Sequence, residues 1–173
     1  MKTETFDIVN KLDQVVDQKD RNTVHRMGLL HRSVHVFARS DKNAWILQQR
    51  SEFKEEEPLS WTTSCSGHVD SGEDYLSAAI RECHEELGFS SGPEKFLELL
   101  RVSPCFETGN EFVRIYLLKE IIVPVADGKE VRAFESFSIE DLDEKMNFDK
   151  SMRFSISFKH IFPLVVAKLK KFT

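Results

Sequence analysis

The chain has 173 residues, 40% of them apolar, and a formal charge of −5, which allows one domain with a sizeable core and lacks the basic stripe of a protein that grips a nucleic-acid backbone. Its three cysteines, Cys65, Cys83 and Cys105, form no CxxC pair; this fits neither a disulfide framework nor a zinc knuckle and points to a reducing cytoplasm. The start, "MKTETFDIVNKLDQ", has no long apolar run after its lysine, and no stretch reaches the roughly 18 apolar residues of a membrane span. One soluble domain over 1–173 is expected, with no membrane and no nucleic-acid polymer as partner, and an anionic substrate would need a local cation.

In chain order, "TFDIVN" at 5–10 reads as a short strand, and "KDRNTVHRMGLLHR" at 19–32 as a polar turn leading into an irregular or briefly helical segment. "SVHVFARS" and "AWILQQRS" read as two strands joined by the turn "DKN" at 41–43, a hairpin. The run "KEEEP" at 54–58 is a solvated loop or, alternatively, a loop that gates a substrate. "KFLELLRVSPCF", "EFVRIYLLKEIIV" and, after the turn "ADGK", "EVRAFESFS" carry the β-branched and apolar density of strands. "SIEDLDEKM" opens a helix with a serine cap, and "SFKHIFPLVVAKLKKF" closes the chain as another, with Pro163 near its start or kinking it. Alternation of this kind predicts a layered domain of helices and strands.

The segment "RECHEELGF" at 81–89 concentrates chemistry. At 100° per residue Glu82, Glu85 and Glu86 share an arc of about 100°, and Leu76, Ile80, Cys83 and Leu87 form an apolar stripe on another side, which predicts acids facing away from the helix's seat. Ala78 and Ala79 flank the acids and would let a backbone or ligand come close. Like charges at i and i+4 destabilise a helix, and a divalent cation removes that cost; hard oxygen donors suit magnesium or manganese bridged to a substrate phosphate. Taken alone, the run is more simply an ordinary solvated face. Gly67 before it, "DSGE" at 70–73 as turn and helix cap, and Gly88 at the helix end in a left-handed position enlarge the pattern.

Gly67, Glu73, Arg81, Glu82, Glu85, Glu86, Gly88 and Phe89 match the Nudix box, G-x5-E-x7-R-E-U-x-E-E-x-G-U, over 67–89, with Cys83 at the inner apolar position. The chain therefore resembles the Nudix superfamily. "HRSVHVFARS", "WILQQRS" and "WTTSCSGHVDSGE" are similar to the branch that includes isopentenyl-diphosphate isomerase and many bacterial hydrolases. The resemblance implies an α+β fold, an α/β/α sandwich with a mixed central sheet, and hydrolysis of a small-molecule diphosphate, such as a nucleoside diphosphate linked to another group, with Mg2+ or Mn2+. It implies that Glu82 and Glu86 are metal ligands, Glu85 a ligand or a base acting through water, and Gly67 a carbonyl ligand. Arg81 would orient the carboxylates and Glu73 would brace the loop. A homodimer would be ordinary for the superfamily.

Two reactions compete, diphosphate hydrolysis and allylic isomerisation of isopentenyl diphosphate. The isomerase pattern has a cysteine directly before Gly-His, where this chain has Ser66; Cys65, one step earlier, faces the other way on a strand. Its Glu-x-Glu pair reads Gly109-Asn110-Glu111 here, keeping one acid. His31 and His68 match two of its metal histidines and His25 is one residue out of register with a third. The isomerase pattern also lacks the full set of helical acids, so hydrolysis is the favoured reading. His31, His35 and His68 are then expected as hydrogen-bonded or substrate-contacting groups. Glu111 and Glu130 stand as second-site bases or solvated acids, Trp61 and Phe106 as core or base-stacking rings, and Arg50 and Arg32 as phosphate contacts or surface groups.

Overall fold

A computed structural model of the protein describes residues 4–41, 44–149 and 151–171. In chain order the elements are β1 (Thr5–Val9), β2 (Val15–Asp20), α1 (Arg21–Met27), β3 (His31–Arg39), β4 (Trp45–Arg50), β5 (Trp61–Thr62), β6 (Cys65–His68), α2 (Tyr75–Leu87), β7 (Phe96–Val102), β8 (Glu111–Ile121), β9 (Val131–Phe137), α3 (Ile139–Phe148) and α4 (Ile156–Leu169). The expected strands are present. β2 was not anticipated, because "VVDQKD" is mostly exposed and its pairing with β1 rests on backbone rather than on an apolar face. Part of the expected turn at 41–43, and the last residue of the final expected helical segment, lie outside the described residues.

β3 is the axis of a seven-stranded mixed sheet with the path β5-β4-β3-β8-β7, to which β6 adds on β3 and β9 on β4. Its first half pairs with β6 (Ser33 with His68, Val36 with Cys65) and its end with β4 (Ala38 with Ile46), all antiparallel. Along its other edge it runs parallel to β8, His31 opposite Glu111.

Strand alternation sorts side chains to two layers. Val34, Val36 and Ala38 of β3 join Ile46, Cys65, Tyr116 and Leu118 under α2, with Ala78, Ala79, Cys83 and Leu87. Phe37, Trp45, Leu47, Val113 and Ile115 point the other way, onto Leu142 of α3 and Phe158, Ile161, Phe162 and Val165 of α4. The result is the α/β/α sandwich. Trp61 packs against this second core, edge-on to Phe137 at 5.7 Å, and is a structural ring.

Helix ends follow the local chemistry with two exceptions. Ser138 caps α3 in a capping box with Asp141, and Gly88 ends α2 at φ 65°. α2, however, is capped by Asp74, which accepts from the Ser77 amide at 2.8 Å, one residue beyond the expected "DSGE". Pro163 lies well inside α4 rather than at its start; its ring nitrogen leaves the Lys159 carbonyl without a helical donor.

Candidate active site

The box is built where β6 meets α2. Fully buried Ala78 and Ala79 let the helix sit close on the sheet, so the neighbouring acids are drawn inward: Glu82 and Glu86 are only 9% and 6% exposed, against 55% for the side chain of Glu85. This corrects the expectation that the acids face away from the helix's seat. The buried arc runs through Ala78, Ala79, Glu82, Cys83 and Glu86, while Leu76 and Ile80 lie at its half-buried margin. Hydrophobic periodicity assigns carboxylates outward, and here the two small residues override it.

Arg81 organises the group. Its Nε and Nη2 donate to the two carboxylate oxygens of Glu73 at 3.1 and 2.9 Å, Nη1 to Glu82 Oε1 at 2.7 Å and Glu85 Oε2 at 3.1 Å, and Nη2 also to the His68 carbonyl at 2.9 Å. Burial acts to lower the Arg81 pKa, but the bonds to Glu73 and Glu82 raise it above its ordinary value, so the fork stays charged. Glu73 accepts in addition from the Asp70 amide at 3.2 Å, which braces the loop as expected.

Glu86 Oε2 accepts from the Ser66 amide at 3.0 Å and from Gln48 Nε2 at 2.8 Å. Gln48 shares the α2-facing side of β4 with Ile46, and strand parity was the signal for it. Burial, with the nearby Glu86 charge, pushes the Glu82 carboxyl up to about 8 despite Arg81; burial pushes Glu86 up to about 7. Both shifts run upward, so the two converging carboxylates carry charge that their protein partners do not fully offset. That donor set, all oxygen and short of positive charge, fits a hard divalent cation held by Glu82, Glu86, the Gly67 carbonyl and the more exposed Glu85.

A second cluster occupies the opposite face of the same strands. Glu111 Oε1 lies 3.1 Å from His68 Nε2 and 3.3 Å from His31 Nε2. Burial works to raise the Glu111 carboxyl, but the two imidazoles hold it well below its ordinary value. His25, on α1, completes the group: one ring nitrogen from each of His25, His31 and His68 lies within 4.8 Å of the others, and His25 Nε2 is buried with no hydrogen-bond partner among the described residues. In sequence His25 is one residue out of register with the third isomerase histidine; α1 is short and turns it back over Phe6, whose ring stacks on His68 at 4.5 Å. His35 stands apart, bonded to Thr63 Oγ1 at 2.9 Å, and burial pushes its pKa down to about 4, so it is neutral.

A cleft of about 580 Å3 is lined by the box and by His68 and Glu111 of the second cluster, with Ser66, Gly67, Glu82 and Glu86 among its walls. Arg21, ion-paired to Glu4, Arg50 and Lys54 lie on it among a larger number of acids, so a phosphorylated ligand requires a cation there as well. Glu130, also on the cleft, is ion-paired to Lys54. The "KEEEP" segment forms part of the rim through Lys54, Glu56 and Glu57. Arg32 lies elsewhere, bonded to Asp13 at 2.6 Å, and Phe106 is 83% exposed. Asp7, unremarked in the sequence, accepts from Ser71 Oγ at 2.7 Å and from the Gly72 amide at 3.1 Å, tying the box loop to β1. Cys65 is fully buried with its Sγ 3.4 Å from Cys83 Sγ, so it cannot stand in at the Ser66 position.

The sequence profile of the NUDIX domain matches residues 29–155. The chain belongs to the NUDIX family. An uncharacterized Nudix hydrolase of Clostridium acetobutylicum is 30% identical over 124 residues, 68% of this chain and 60% of that protein. An isopentenyl-diphosphate delta-isomerase of Serratia proteamaculans is 38% identical over 84 residues, 49% of this chain and 47% of that protein. The chain thus spans about half of the length of these curated NUDIX relatives. A crystal structure of a Deinococcus radiodurans protein superimposes with a TM-score of 0.77 at 27% identity, covering 95% of this chain and 98% of that one. No helix among the described residues is long and apolar enough to cross a membrane.

Proposed function

We propose that this chain is a divalent-metal-dependent pyrophosphohydrolase acting on a small-molecule diphosphate, a nucleoside diphosphate joined to another group or a related compound. The observation that carries the reading is the buried pair of Glu82, set against Gly67 and bonded by Arg81, and Glu86, bonded by the Ser66 amide and Gln48, with more negative charge than these protein partners offset. Mg2+ is the expected ion and Mn2+ an acceptable one, since both prefer carboxylate, carbonyl and water oxygen. When bound, such an ion polarises a phosphate oxygen and lowers the pKa of water.

The chain's own residues supply the rest. Arg81 holds Glu82 and Glu85 in place by direct donors, and the Ser66 amide with Gln48 fixes one oxygen of Glu86. Glu85, exposed to the cleft, is positioned to take a proton from water. Together with the cation, Arg21, Arg50 and Lys54 attract the substrate phosphates. Glu111, read from the sequence as a second-site base or a solvated acid, is kept ionised by His68 and His31 on one of its oxygens, which makes it a positioning carboxylate rather than a proton acceptor. Three free thiols accord with a reducing cytoplasm, and a homodimer is the expected assembly.

One observation favours a second reading, isomerisation of isopentenyl diphosphate: the His25, His31, His68 and Glu111 cluster, together with an isomerase among the relatives. The hydroxyl of Ser66 and the burial of Cys65 weigh against it, because proton transfer at carbon would lack its thiol.

The deciding experiment is a Mg2+-dependent phosphate-release screen over nucleotides, nucleotide conjugates and prenyl diphosphates, run beside isopentenyl diphosphate with products identified by mass. Phosphate or a nucleoside monophosphate that vanishes in Glu86→Gln supports hydrolysis. Dimethylallyl diphosphate formed without phosphate release would overturn it in favour of the isomerase.

A further inference from the structure

Among the described residues, one more set of potential metal-binding side chains converges outside the box and the histidine cluster. The turn between β7 and β8 carries Cys105 and Glu107, and α4 carries His160; one donor atom from each lies within 4.8 Å of the others. Cys105 Sγ is 3.7 Å from His160 Nε2. In a tetrahedral zinc site, with Zn–S near 2.3 Å and Zn–N near 2.05 Å, a sulfur and a nitrogen are about 3.6 Å apart. The pair therefore already has the edge length of such a site before any ion enters, and the carboxylate of Glu107 provides the third corner.

We propose that Cys105, Glu107 and His160 bind a zinc-class divalent cation, with water in the fourth position, and that this ion fastens the 105–110 turn to α4. The donor types separate this site from the carboxylates of the box. Sulfur and imidazole select borderline-soft ions, whereas an all-oxygen set selects magnesium, so each site takes a different metal. Binding requires the thiolate, so the Cys105 proton is released to solvent as the metal–sulfur bond forms.

The turn is built to hold its ligands. The Cys105 amide donates to Thr108 Oγ1 at 3.0 Å, the Thr108 hydroxyl lies 3.2 Å from the Glu111 carbonyl, and the Asn110 amide donates to the Cys105 carbonyl at 2.9 Å. Cys105 and His160 are half-buried and Glu107 is exposed, so an ion can reach them. Glu107, Thr108 and Gly109 also line the cleft, and Glu111 follows directly. An ion here would therefore stiffen one wall of the cleft.

The test uses Co2+ as a spectroscopic probe on the full chain. Wild-type protein is expected to show a thiolate-to-cobalt charge-transfer band that saturates at one equivalent and is abolished by Zn2+. Cys105→Ser should lose the band, His160→Gln should weaken cobalt affinity about tenfold or more, and His25→Ala should keep the band, since its cluster contains no sulfur. A second readout needs no variant: Zn2+ should slow maleimide alkylation of Cys105 about tenfold or more, mapped by peptide mass. No thiolate band in the wild type, a band that survives in Cys105→Ser, or alkylation unchanged by Zn2+ would overturn the assignment. None of these outcomes depends on the hydrolase reading.

Discussion

Gly67 and Glu82 compete for one space: a methyl group on Gly67 would lie 1.9 Å from Glu82 Oε1 and 2.0 Å from its carboxyl carbon. The glycine is needed for this close approach of strand to helix rather than for an unusual backbone angle. Gly67→Ala should push Glu82 off Arg81 and the metal position together. We expect Mg2+ affinity, by titration calorimetry, and turnover each to fall about tenfold or more. Wild-type affinity in that variant would show that the loop has slack.

Glu86→Gln separates activity from stability. Turnover should drop about 10²-fold or more, the scale of losing a group that organises charge in the transition state. Denaturant unfolding should show stability unchanged or raised, since a buried ionised carboxylate is removed while its shape is kept. Loss of both would mean that Glu86 acts through the fold and not through the ion.

Arg81→Lys keeps the charge but not the planar fork. Its contacts with Glu73, Glu82, Glu85 and the His68 carbonyl cannot all be met by one ammonium. A destabilisation of about 2 kcal/mol is expected from urea unfolding, with a further loss of Mg2+ affinity. A variant as stable as wild type would place the bracing elsewhere.

The pH dependence of the metal-free protein follows from the same acids. Glu82 and Glu86 have folded pKa values of about 8 and about 7, above the ordinary carboxylate value of 4.5. The unfolded state therefore releases their protons first, and the stability that these groups contribute is fully present below pH 4.5 and lost as pH rises through 7 to 8. In the presence of a chelator, the melting temperature should fall progressively from about pH 4.5 to about pH 8, and Mg2+ should restore most of the difference at the upper end. A melting temperature that is flat over this range without metal would contradict the burial of the pair.

The layered fold was legible because β3, β8 and α2 are long and periodic, and the carboxylate site because its residues lie close together in sequence. Where the site departs from the sequence reading, the cause is non-local. Glu82 and Glu86 turn inward because Ala78 and Ala79 remove the bulk that would hold the helix off the sheet. Gln48 and Asp7 reach the box from β4 and β1, 38 residues from Glu86 and 64 from Ser71. His25 joins His31 and His68 through the placement of α1, which no spacing encodes. Cys105 and His160 are 55 residues apart and meet only because α4 packs beside the end of β7.

The pairing of β3 on both edges makes the two acidic centres mechanically inseparable. Its residues fix Gly67 and His68 through β6 and Glu111 through β8, and because neighbours on a strand point to opposite sides, one step of slippage would turn Gly67 away from Glu82 and His68 away from Glu111 at once. Any change that retunes one centre by shifting β6 must therefore detune the other. Divergence within this scaffold is left to side-chain replacement at fixed register, at positions such as Ser66 whose backbone is held by β3 and by Glu86.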